Sequence, residues 1–120
     1  MYVRWNRVKG RLCAVLVRSA RVSGQPRQKV VGYLASIHDA EYFLQHPKYR
    51  YEFWVRLCEH LDRFQQYGEI DADTRQAVES RVARTVRPAT AADVEEEERE
   101  LAEEDERELE RWRAEMDESL

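Results

Sequence analysis

The first 38 residues contain no aspartate or glutamate, although the whole chain holds 24 of them in 120 residues. The same stretch carries eight lysines and arginines. The acid is concentrated elsewhere: residues 93–120 hold fifteen acidic and four basic side chains. The overall charge of -4 therefore hides two ends of opposite sign, and such asymmetry says more about partners than the total does.

Other scarcities exclude function classes. There are two cysteines, Cys13 and Cys58, both inside apolar patterns. A disulfide between them is conceivable but unneeded, and free thiols in a reducing compartment fit better. The four glycines form no phosphate-binding loop, and no Gly-x-Ser-x-Gly occurs. No apolar run approaches the roughly 20 residues of a membrane span, and no secretory leader is visible. The expectation is a cytoplasmic protein with no membrane contact.

Catalytic and metal chemistry find little support. His38, His46 and His60 join the cysteines as soft ligands, but Cys58-Glu59-His60 lacks companion spacing. Cys58 is expected to pack and His60 to face solvent. Glu52, Glu59, Asp62 and Glu69 read as the polar side of an amphipathic helix. We expect no enzyme, no metal site and no cofactor.

What is present reads as an α+β protein: a three-stranded antiparallel β-meander, three helices, then a long acidic helical tail. Strands are expected at Tyr2–Val8, Arg11–Val22 and Arg27–Ala35, with reversals at Lys9-Gly10 and Ser23–Pro26. Alternation puts Cys13, Val15 and Val17 on one face and Leu12, Ala14, Leu16 and Arg18 on the other. Helices are expected at Asp39–Gln45, Lys48–Gln66 and Thr74–Val86, the last starting at Asp73 with Gln76 three residues on. Phe53, Trp54, Leu57, Leu61 and Phe64 recur at helical spacing, with Trp54 expected to anchor the core. Residues 1–90 form the compact unit, with the meander at 1–36 and the helices at 39–86. Residues 91–120 form the tail, where pairs such as Glu95/Arg99 suit a solvated helix.

The eight cations Arg4, Arg7, Lys9, Arg11, Arg18, Arg21, Arg27 and Lys29 are the candidate nucleic-acid contacts, with Tyr2, Trp5 and Tyr33 interleaved. Arg7, Lys9 and Arg11 gather at the first reversal, and the last four flank the second. A β-ribbon fits a major groove, and arginine grips phosphate bidentately. Duplex DNA ranks ahead of RNA. The alternative is an adaptor for a basic protein, or a DNA-mimicking inhibitor. It would act through the helices or through the tail face of Leu109, Trp112 and Met116. Self-association stays open.

Residues 15–34 add a resemblance. Ser19-Ala20-Arg21, then Gly24, Arg27-Gln28 and Tyr33-Leu34 resemble the N-terminal hairpin of DDE-class insertion-sequence transposases. The chain is also similar to small uncharacterised bacterial proteins with this hairpin. Ala35 stands where those transposases have glycine, and no catalytic domain follows. The resemblance implies a DNA-associated accessory region from a bacterial or mobile-element setting, with no transposition chemistry.

Overall fold

A computed structural model describes residues 1–118; Ser119 and Leu120, at the end of the expected tail, lie outside the described residues. Strands β1 (Tyr2–Val8), β2 (Arg11–Val22) and β3 (Gln25–His38) form one antiparallel sheet in the order β1-β2-β3. Helices α1 (Glu41–Gln45), α2 (Pro47–Gln66), α3 (Ala72–Ala83) and α4 (Ala91–Glu118) follow. The chain is α+β.

Both hairpins turn on two residues with positive φ, Lys9-Gly10 (50° and 75°) and Ser23-Gly24 (55° and 77°). Those angles give type I′ turns, whose twist matches that of the strands they join. β3 is longer than the expected Arg27–Ala35 because its ends stay paired, from Gln25 opposite Val22 to His38 opposite Arg11.

One sheet face carries the core. Leu12, Ala14 and Leu16 are buried there with Val3, Ala35 and Ile37. Phe53, Leu57 and Leu61, four residues apart, present one buried stripe of α2 to them. Burying each such side chain stabilises by about 1.5–3 kcal/mol. α3 adds Val78 and Val82 to the same core. Cys13 alternates onto the opposite sheet face, which it shares with buried Val15 and Val17, while Cys58 sits on α2, and both thiols are free.

Three local expectations are corrected. Asp71, not Asp73, caps α3, accepting from the Thr74 amide at 2.7 Å. Phe53, not Trp54, holds the core centre: Phe53 is buried, whereas Trp54 is half-buried and donates Nε1–H to the Val86 carbonyl at 2.9 Å. His60 is not simply solvated. It is half-buried, with Nδ1 2.6 Å from the Leu34 carbonyl and its ring against Tyr33.

α2 runs back along β3. Phe64 near its end lies against Gly32, His60 meets Leu34, and its start lies near the His38 end of the strand. α4 departs from that same end. Its first turns pack on α2, where Glu97 Oε1 lies 2.7 Å from His46 Nδ1. From Glu98 to Glu118 every residue is exposed. The molecule measures 83 × 27 × 18 Å. The long dimension far exceeds the roughly 46 Å of a fourteen-residue strand, so α4 extends the molecule rather than doubling back.

Candidate nucleic-acid interface

Seven residues of β1 cannot accompany twelve of β2. β1 ends its pairing at Tyr2 opposite Val17, and beyond that point β2 and β3 continue alone. The overhang is a two-stranded ribbon of five residue pairs, from Arg18–Lys29 to Val22–Gln25, closed by Ser23-Gly24. It holds Arg18, Arg21, Arg27 and Lys29, all exposed, and no acidic residue.

The register sorts these cations. Partners across a ladder share a face, as do residues two apart. Arg18 pairs with Lys29 and Ala20 with Arg27, so Arg18, Arg27 and Lys29 lie on one face. That face continues the side on which Leu16 meets the core. Arg21, opposite Pro26, lies on the other face with Ser19 and Gln28. A ribbon with guanidinium groups on both faces can reach phosphates on both walls of a groove.

The remaining four candidates lie elsewhere. Arg7, Lys9 and Arg11 sit at the opposite end of the sheet, about 30 Å away along β2 at 3.3–3.4 Å per residue. Arg7 approaches Asp39 at 3.8 Å, and Arg11 donates from Nε to the Ser36 hydroxyl at 3.0 Å. Arg4 is half-buried on β1 and donates to the Gln28 side chain at 3.3 Å, while its Nε is buried without a partner. Arg4 thus braces the root of the ribbon. The eight cations form two separate clusters and one structural arginine.

Among the interleaved aromatics, Trp5 turns inward and stacks on Phe53 with ring centroids 6.1 Å apart. Tyr2 is half-buried and Tyr33 is exposed along one side. Only Tyr33 offers a ring to a partner at the sheet edge, and it lies below the ribbon.

On α4, Leu101, Leu109, Trp112 and Met116 are each about half exposed. At 100° per residue they fall within one narrow arc, in line with half-buried Val94. The acidic helix starts at the pole opposite the ribbon tip, so its charge is separated from the ribbon by several screening lengths at physiological salt.

Arg50 is a functional-looking group the sequence did not flag. It is buried on α2 and donates to the carbonyls of Gln45, Arg87 and Pro88. Burial and nearby Arg87 push its pKa down, while Asp93 and Glu97 push it up. Its role is to tie the starts of α2 and α4 together. Burial raises the Cys58 thiol above its ordinary value, helped by Glu79, so Cys58 is a weak nucleophile at neutral pH. Among the described residues, no three His, Cys, Asp or Glu side chains gather to hold a metal, and no helix is long and apolar enough to cross a membrane.

No protein-family model, curated protein or solved structure matches the chain.

Proposed function

We propose that this chain is a non-enzymatic nucleic-acid-binding accessory protein whose β2–β3 ribbon enters the major groove of duplex DNA. The observation that carries this reading is the overhang: five unsupported residue pairs, four exposed cations and no acid. A free two-stranded ribbon is one of the two elements that the major groove of B-DNA admits. The groove of A-form RNA is too deep and narrow for the same contact, which favours DNA. The hairpin's resemblance to transposase N-terminal regions supports a bacterial or mobile-element setting.

The test is a titration of the full chain against a duplex at about 50 and about 200 mM salt, where phosphate contacts change affinity steeply. Each neutralised phosphate contributes about 0.9 to the slope of log K against log salt. Arg18→Ala with Arg27→Ala should flatten that slope by nearly two units. An unchanged slope in the double variant would remove the ribbon from the interface.

A second reading rests on a different observation, the unpartnered apolar face of Leu109, Trp112 and Met116 on α4. Flanked by acid, that face suits a basic protein, and the chain would then act as an adaptor.

A further inference from the structure

A second site lies at the other end of the sheet, between β3 and α2. Tyr49, Glu52, Phe53 and Arg56 follow i, i+3, i+4, i+7 spacing and line one wall. Tyr33, Ser36 and His38 of β3 line the other, with Arg11 reaching across from β2. The groove encloses about 320 Å³, within the range of small-ligand sites.

Its chemistry is unusually matched. Aromatic rings bound it at both ends. Tyr33 is held edge-on by His60 at 5.7 Å, and Phe43 packs between His38 at 4.4 Å and Tyr49 at 4.7 Å. Rings braced in this way keep little freedom to lose when a planar ligand stacks on them. Arg56 makes no hydrogen bond or ion pair among the described residues, and Arg11 spends only Nε and one terminal nitrogen on Ser36. Arg7 and Lys9 stand next to the groove at the first turn. One carboxylate, Glu52, sits inside.

We propose that this groove binds a nucleobase together with its phosphate. The base stacks on the aromatic wall, a contact worth a large share of affinity in single-strand readers. The phosphate is held by Arg56 and the open side of Arg11, as guanidinium forks hold phosphate oxygens. Glu52 accepts from an amino group on the base edge, as carboxylates accept from cytosine N4. A cytosine ligand is therefore preferred to uracil, which presents a carbonyl there and would meet the carboxylate with like polarity. The ligand is a free nucleotide or an unpaired base of a single strand. The site shares no residue with the ribbon: Tyr33, its member nearest the ribbon, lies opposite Val15, about 10 Å along β2 from Arg18, and Arg11 lies farther away still.

The full chain should be titrated with cytidine monophosphate, uridine monophosphate, inorganic phosphate and a single-stranded cytosine hexamer. Calorimetry gives affinity, and amide shifts give location. The cytidine nucleotide should move amides of Tyr33, Ser36, His38, Glu52 and Arg56. Arg56→Ala and Tyr33→Ala, both at exposed positions, should each weaken binding about tenfold. Glu52→Gln should narrow the cytidine–uridine difference. Arg18→Ala with Arg27→Ala should leave nucleotide binding unchanged even if it abolishes duplex binding. A hexamer binding tighter than the mononucleotide identifies a strand as the source; equal binding identifies a free nucleotide. The proposal is overturned by an absence of groove shifts at millimolar nucleotide. It is equally overturned if inorganic phosphate gives the same shifts with the same affinity, or if binding is lost in the ribbon double variant.

Discussion

The ring of Phe64 occupies the space that a side chain at Gly32 would need: a Cβ there would meet three atoms of that ring, the closest inside van der Waals contact. Gly32 lies opposite Leu16 at a register shift in β3, where the ribbon leaves the helix-covered sheet. The last turn of α2 can approach the sheet because this position has no side chain. Gly32→Ala should therefore cost about 1–3 kcal/mol, the usual penalty for overpacking. Phe64→Leu in the same background should recover part of it. Urea unfolding of the two variants and their combination checks both statements, and simple additivity would show that the two positions do not clash.

Trp54 and Val86 make a second tie, between α2 and the chain just after α3. Trp54→Phe removes the indole donor and keeps most of the packing. The expected loss is about 1 kcal/mol, the net value of one hydrogen bond. Thermal unfolding checks it. A much larger loss would mean that the ring's fit matters more than its N–H.

Asp71 sets a pH dependence. Its carboxylate accepts from the side chain and amide of Thr74, which hold its pKa below the ordinary value of 3.8. A carboxylate depressed in the folded state stabilises it fully above the unfolded pKa and loses that effect as pH falls through the folded value. Wild type and Asp71→Ala should differ by a constant amount above about pH 5 and converge as pH falls below about 4. Melting temperatures across that range check it; a gap that widens on acidification would reverse the sign.

Much of this fold was legible because its signals are local. Gly10 and Gly24 mark turns that only positive φ can make, so β1 and the boundaries of β2 followed from sequence. The spacing of Phe53, Leu57 and Leu61 located α2. What failed depended on contacts distant in sequence. Trp54 and Phe53 are adjacent and both large, and only the position of the sheet decides which enters the core. Asp71 and Asp73 are equal candidates until Ile70 is seen to be buried, which fixes where the chain turns into α3. The reciprocal cap between Thr90 and Asp93 at the start of α4 is a local signal too, a Thr-x-x-acid pattern. For the candidate interface, the sequence placed four cations around the second turn. It also placed Arg7, Lys9 and Arg11 at the first, whereas the bracing role of Arg4 and the faces on which the ribbon cations lie depend on the pairing register.

The boundary of the compact unit supplies the last prediction, and it also separates the two functional readings. α4 is not detached at its first residue. Val94 and Glu97 are half-buried, Glu97 contacts His46, and Arg50 lies within reach of the charge on Asp93 and Glu97. Ending the chain at residue 90 would strip the two carboxylates that offset the burial of Arg50 and leave the charge of Arg87 unopposed beside it, although its bonds to the carbonyls of Gln45, Arg87 and Pro88 would remain. Ending it at residue 98 would keep both and remove only exposed helix. The 1–98 chain should therefore melt within a degree or two of the full protein, since exposed residues contribute little to stability. The 1–90 chain should melt distinctly lower. Duplex affinity of the 1–98 chain should change by less than about twofold at about 150 mM salt, because the lost charge lies many times the roughly 8 Å screening length from the ribbon. Removing the same segment should abolish capture of any basic protein held by Leu109, Trp112 and Met116. If the 1–98 chain instead binds duplex much more tightly, α4 must approach the ribbon in solution and restrain it. If it binds identically while the full chain holds a protein partner, ribbon and helix are separate docking ends of one molecule.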